Sequence, residues 1–169
     1  MRIIAGMARG RTFDAPQGMD TRPTLDRVRE NVFNILQMKV RGARVLDLFS
    51  GSGAMAFEAI SRGACAAVLV DHDRQANQVQ QRNVQKLRMA DTCRLMNCDW
   101  QAAVRALQSA GEKFDLVLLD PPYAMHDMTG VQIRSNVHTN IAIGKKKIKR
   151  KQQKERRARQ QHSGPESLN

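Results

Sequence analysis

The sequence predicts an α/β protein with a parallel, doubly wound sheet. Three observations carry this: four short apolar runs recur along the chain, an amphipathic stretch follows each of the first three, and the runs end on polar or acidic residues. Strands alternating with helical patterns imply β-α repeats with right-handed crossovers. At 169 residues the chain has the size of one domain.

Residues 2–23 come first, mixing short apolar pieces with Gly6, Gly10, Pro16 and Gly18, a pattern for a small hairpin or extended arm. A helix is expected to start at Thr24 as N-cap, after Pro23, with Asp26 suiting the positive end of the helix dipole. Leu25, Val28, Val32 and Leu36 form its apolar stripe, and Gly42 closes the unit.

Val45-Leu46-Asp47-Leu48-Phe49 reads as the first strand, running into Ser50-Gly51-Ser52-Gly53 and a helix over 54–62 ended by Gly63. Residues 66–70 read as the second strand, closed by Asp71, and Ala76, Val79, Asn83 and Leu87 share one face of the next helix. Arg94-Leu95-Met96 is a weaker third strand, followed by a helix over 100–107 with Trp100, Val104 and Leu107 inward. Leu116-Val117-Leu118-Leu119 is the clearest strand, and it runs into Asp120-Pro121-Pro122-Tyr123.

Composition excludes several classes. Hydrophobic residues make up 41% of the chain and the mean hydropathy is −0.51, with no run near the roughly 18 apolar residues of a membrane helix. The opening residues lack the apolar core of an export signal, so a cytoplasmic protein is expected. Cys65, Cys93 and Cys98 form no C-x-x-C knuckle, and His72, His126, His138 and His162 have no ligand spacing, so no metal is expected.

Charge is unevenly spread. Residues 1–128 carry 17 basic and 14 acidic side chains, a net of +3, whereas residues 129–169 carry 11 and 2, a net of +9. Only 10 of the 44 residues from His126 onward are hydrophobic and none is aromatic, so that segment has no core of its own. Residues 145–159 hold ten basic side chains and one Glu, the composition of a solvated, disordered tail or of a phosphate-binding arm. Three regions follow: an arm and helix over 1–42, a core over 43–125 and a basic tail over 126–169.

In a doubly wound sheet, ligands lie beyond the carboxyl ends of the strands. Gly51 and Gly53 let backbone approach a ligand there, and Asp71 is placed like the acid that accepts hydrogen bonds from ribose hydroxyls. The loop lacks the third glycine of a dinucleotide site and any G-K-[ST], so a ligand carrying adenosine without phosphates fits it better. At the last strand's end, Pro121 and Pro122 remove two amide donors, leaving the Asp120 carboxylate and nearby carbonyls as acceptors for an exocyclic amine. Tyr123 offers a face on which an extruded base can stack.

Asp120-Pro121-Pro122-Tyr123 resembles the [D/N]-P-P-[Y/F/W] signature of the amino-methylating S-adenosylmethionine-dependent methyltransferases. Arg2-Ile3-Ile4-Ala5-Gly6, Arg9-Gly10-Arg11, Thr21-Arg22-Pro23-Thr24, Asp26-Arg27-Val28-Arg29-Glu30 and Phe33-Asn34 resemble the opening signature of the RsmD-type family. That family methylates the 2-amino group of a guanine in bacterial 16S rRNA. The resemblance spans about residues 1–124 and implies a Rossmann-like methyltransferase fold, S-adenosyl-L-methionine as cofactor, and 16S rRNA or a small-subunit assembly particle as partner of a monomeric enzyme.

Carried over position by position, Asp47, Ser50, Gly51 and Gly53, with Phe49 beside them, would line the cofactor's methionine end. Asp71 would hold its ribose, and Asp99 its adenine amino group with Trp100 alongside. Asp120, Pro121, Pro122 and Tyr123 would hold the guanine. Arg2, Arg9, Arg11, Arg22, Thr24 and Arg27 would meet the RNA. Two other classes share part of these features: a DNA amino-methyltransferase, and a non-catalytic fragment that binds nucleic acid through its tail. The family continues past this motif with strands that complete a seven-stranded sheet, and here the patterning stops. The expected sheet is therefore incomplete, with residues 116–119 an exposed edge prone to aggregation.

Overall fold

The computed structural model describes residues 1–16, 23–120 and 140–142. In chain order its elements are α1 (Pro23–Val40), β1 (Arg44–Asp47), α2 (Ala54–Ser61), β2 (Ala66–Asp71), α3 (Arg74–Leu87), β3 (Cys93–Asn97), α4 (Trp100–Ser109), β4 (Leu116–Leu119) and β5 (Asn140–Ala142). The sheet order is β3-β2-β1-β4-β5, and every pairing is parallel. The order reverses at β1, so the ends of β1, β2 and β4 meet at the switch point where such folds bind ligands.

Alternation along the strands sorts the core into two layers. Val45, Ala67, Leu69, Leu116 and Leu118 face one side, under Phe33 and Leu36 of α1, Phe57 and Ile60 of α2 and Val84 and Leu87 of α3. Leu46, Leu48, Val68, Val70 and Val117 face the other, under Ala103 and Leu107 of α4 and under Phe114, with Trp100 and Val104 half-buried at its margin. The first layer also takes in Ile3, Ala8 and Phe13, so the N-terminal segment packs as part of the domain.

That segment is the expected hairpin. Arg2 and Thr12 form an antiparallel bridge, Ile3 donates its N–H to the Arg11 carbonyl at 3.0 Å and Gly10 donates to the Ile3 carbonyl at 2.9 Å. Gly6 at its turn has φ +84°, and a Cβ there would lie 1.8 Å from the Ser61 carbonyl oxygen. Only glycine permits both the conformation and the approach.

Two expectations are corrected. The helix begins at Pro23 rather than after a Thr24 cap, because proline's fixed φ and missing N–H suit the first helical position. The expectation that β4 is the sheet edge is also overturned, since β5 pairs with it, Leu118 opposite Ile141 and Leu119 opposite Ala142. Ile141-Ala142-Ile143 is an apolar triplet in an otherwise polar stretch, which is where β-propensity is available. The rest of residues 121–169, including the basic run, lies outside the described residues.

Candidate active site

The loop between β1 and α2 forms the floor of the site. Ser50 donates both its N–H, at 3.0 Å, and its hydroxyl, at 2.9 Å, to the Val70 carbonyl, which ties the loop to β2. Gly51 and Gly53 have φ of +51° and +85°, so the chain turns through left-handed conformations twice in three residues. A Cβ on Gly53 would fall 2.5 Å from the Phe57 ring.

Three carboxylates gather around this loop. Asp47 ends β1, Asp71 ends β2 and Asp120 follows β4. Asp71 accepts from the Gly51 N–H at 2.8 Å through one oxygen and from the Asp73 N–H at 3.0 Å through the other. It thereby braces the glycine loop. Asp47 is buried, and its Oδ2 has no hydrogen-bond partner among the described residues. Burial pushes its carboxyl up to about 7, the charges of Asp120 and Asp71 add to the rise, and the backbone N–H groups of Phe49 and Ala56 oppose it. An orphaned buried acceptor beside two more carboxylates favours a cationic ligand group. The residues present thus fit an adenosine-bearing sulfonium with an ammonium end.

The two residues expected beside an adenine, Asp99 and Trp100, stand at the start of α4. Asp99 caps α4, accepting from the Gln101 N–H at 2.8 Å, and the Phe49 and Trp100 rings lie 6.3 Å apart and tilted by 50°. Pro121, Pro122, Tyr123 and Arg22 lie outside the described residues, as does the side chain of Thr24.

The arginines assigned to RNA divide into two groups. Arg9 and Arg27 are exposed. Arg2 is exposed but reaches Asp26 at 3.6 Å, and Arg11 donates to the Leu87 carbonyl at 2.9 Å, holding the hairpin to the end of α3. Arg11 is thus a structural tie in addition to an exposed charge.

Sequence reasoning missed the polar groups that support the site. Glu58, fully buried on α2, accepts from the N–H groups of Ile4 at 2.8 Å and Ala5 at 3.0 Å. Arg62 donates to it at 2.8 Å and buried Arg29 lies 3.6 Å away, itself paired with Asp26 at 3.0 Å. Ser61 accepts from the Ala8 N–H at 3.0 Å and donates to the Ala5 carbonyl at 2.6 Å. Gln80 donates to the Gly51 carbonyl at 2.7 Å and to the Ser50 hydroxyl at 3.0 Å. The available signal was a Glu inside an otherwise apolar helix.

Comparison with known proteins places the chain. The sequence model described as "Conserved hypothetical protein 95" matches residues 1–163, past residue 124 where the motifs end. YlbH of Bacillus subtilis is 38% identical over 123 residues, covering 73% of this chain and 67% of that protein. "Ribosomal RNA small subunit methyltransferase D" of Escherichia coli is 40% identical over 123 residues, covering 73% of this chain and 60% of that protein. The chain thus spans about three fifths to two thirds of these relatives' length. A solved hypothetical protein of Thermus thermophilus matches with a TM-score of 0.67 and 32% identity, over 76% of this chain and 73% of that one. The chain belongs to the Conserved hypothetical protein 95 family, the RsmD family that its opening motifs resemble.

Proposed function

We propose that the chain is an S-adenosylmethionine-dependent methyltransferase acting on the exocyclic 2-amino group of a guanine in small-subunit ribosomal RNA. The observation that carries the reading is the convergence of Asp47, Asp71 and Asp120 on the glycine loop at the sheet's switch point, with one buried oxygen of Asp47 unpartnered among the described residues. Family membership and the name of the Escherichia coli relative support ribosomal RNA as substrate.

When bound, S-adenosylmethionine supplies an electrophilic methyl group on a sulfonium. Asp47 and the loop of Ser50, Gly51 and Gly53 hold its charged amino-acid end, Asp71 accepts from the ribose hydroxyls, and Asp99 with Trp100 takes the adenine. Asp120 accepts a hydrogen bond from the guanine amine and orients its nitrogen lone pair toward the methyl carbon, with Pro121, Pro122 and Tyr123 completing that subsite. Transfer would form the nitrogen–methyl bond as the sulfur–methyl bond breaks, with the sulfur leaving as the neutral thioether of S-adenosylhomocysteine and the nitrogen giving one proton to solvent. Positioning is the chain's main contribution, since no covalent enzyme bond is needed.

The test is transfer of labelled methyl groups to deproteinised 16S rRNA, to small-subunit particles and to duplex DNA. The expected result is label in N2-methylguanine of the ribosomal RNA, lost by at least about a hundredfold in Asp120→Ala while S-adenosylhomocysteine still binds. Label in duplex DNA instead would replace this substrate with DNA. Absence of transfer to all three, in a chain that binds S-adenosylhomocysteine, would overturn the reading.

A further inference from the structure

Three contacts join the N-terminal hairpin to the glycine loop. Ser52 of the loop donates its hydroxyl to the Met1 thioether at 3.3 Å. Phe13 of the hairpin meets Phe57 edge-on at 5.7 Å, and the Phe57 ring lies where a Cβ on Gly53 would fall. The third joint is Asn83, fully buried on α3. Its Oδ1 accepts from the Asp14 N–H at 2.8 Å, and its Nδ2 donates to the Asp14 carbonyl at 2.9 Å and to the Ser52 carbonyl at 3.2 Å. One side chain therefore satisfies the hairpin's exit strand on both backbone groups and the cofactor loop on a third. An amide with both ends occupied in this way is a rigid joint, because releasing either side leaves a buried polar group without a partner. Lys86, one turn further along α3, holds the Asp14 carboxylate at 2.8 Å on the surface above it.

We propose that Asn83 is a positioning residue that locks the hairpin to the glycine loop, so that RNA held by the hairpin and cofactor held by the loop strengthen one another's binding. The proposal rests on the cofactor and RNA reading given above. Its physical basis is that ordering the hairpin through Asp14 also orders Ser52, and linkage makes the effect reciprocal.

The closing experiment measures S-adenosylhomocysteine affinity by calorimetry on the full chain, with and without saturating deproteinised 16S rRNA, in the wild type and in Asn83→Asp. The Asp variant keeps the acceptor for the Asp14 N–H but loses both donors. The wild type is expected to bind the ligand at least about fivefold tighter when RNA is present. In Asn83→Asp the ligand dissociation constant is expected to rise about tenfold, and the RNA-dependent ratio to fall to one. A residue that only stabilised the fold would weaken both constants and leave their ratio unchanged, and that result overturns the proposal. Hydrogen exchange on the wild type keeps the test independent of the variant's folding: added S-adenosylhomocysteine should slow exchange at the Asp14, Ile3 and Phe13 amides. Protection confined to Gly51 and Gly53 overturns the proposal, whereas no ligand binding by the wild type overturns the cofactor reading itself.

Discussion

The glycine loop faces two environments. On the hairpin side, both oxygens of Glu58 accept, the Ser61 hydroxyl accepts and donates, and Asn83 uses its oxygen and its nitrogen. On the strand-end side, Asp47 keeps a buried oxygen that has no partner among the described residues, with the charges of Asp71 and Asp120 acting on it. Most buried polar groups of the brace are satisfied within the chain; among the described residues Arg29 Nε, with the Glu58 carboxylate 3.6 Å away, and Gln80 Oε1 lack a hydrogen bond. Asp47 Oδ2 differs from them in that the charges acting on its carboxylate are of like sign, a cost that a cationic ligand can relieve. The contrast separates brace from site more sharply than residue type does, since carboxylates stand on both sides.

If the hairpin side is a rigid brace, its disruption should dominate all other changes. The largest effect is expected for Gly6→Ala, where the new Cβ would overlap the Ser61 carbonyl at 1.8 Å and the residue sits at φ +84°. Loss of more than about 4 kcal/mol of stability is expected in denaturant unfolding. Next comes Glu58→Ala, which strips two N–H groups and leaves buried Arg29 with one carboxylate fewer. A loss of about 3 to 5 kcal/mol is expected, and a loss below about 1 kcal/mol would mean that Asp26 and the Arg2 carbonyl suffice for Arg29.

The strand-end side should behave in the opposite sense. Because burial raises Asp47 to about 7 from an ordinary value of 3.8, its contribution to ligand-free stability is fully present below about pH 4 and is lost as pH rises through 7. Asp47→Asn should flatten that slope in melts between pH 5 and 8 and raise the ligand-free melting temperature at pH 8, while weakening S-adenosylhomocysteine binding. A variant that lowers both would move Asp47 from the site to the brace. The smallest effect is expected for exposed Arg9: Arg9→Ala should lower RNA affinity modestly and uniformly across sequences, reducing the salt slope by about one. An unchanged slope would remove Arg9 from the RNA surface.

Legibility in the sequence follows the same division. Asp47, Gly51, Gly53 and Asp71 can be found because a strand, its loop and the next strand's terminal acid are short-range patterns, and parallel pairing then brings them together. Glu58, Arg29 and Asn83 escape because, beside the local pairs of Arg29 with Asp26 and Glu58 with Arg62, each has a partner far along the chain, as for Arg29 with the Arg2 carbonyl 27 positions away and Asn83 with Asp14 69 positions away. Periodicity does not encode such contacts. It does place Asn83 on the inward face of its helix, which is correct, but an amide among apolar neighbours reveals a need for partners without naming them. The fifth strand escapes notice because three apolar residues in a polar stretch give too short a run for alternation to register.

The central claim is that the loop and its three carboxylates form a cofactor site in a folded domain. It is tested most directly by a thermal melt of the full chain with and without S-adenosylhomocysteine. A single cooperative transition is expected, raised by ligand in proportion to about 2.7 kcal/mol at a hundred times the dissociation constant. A cooperative transition that stays in place at millimolar ligand would contradict the claim.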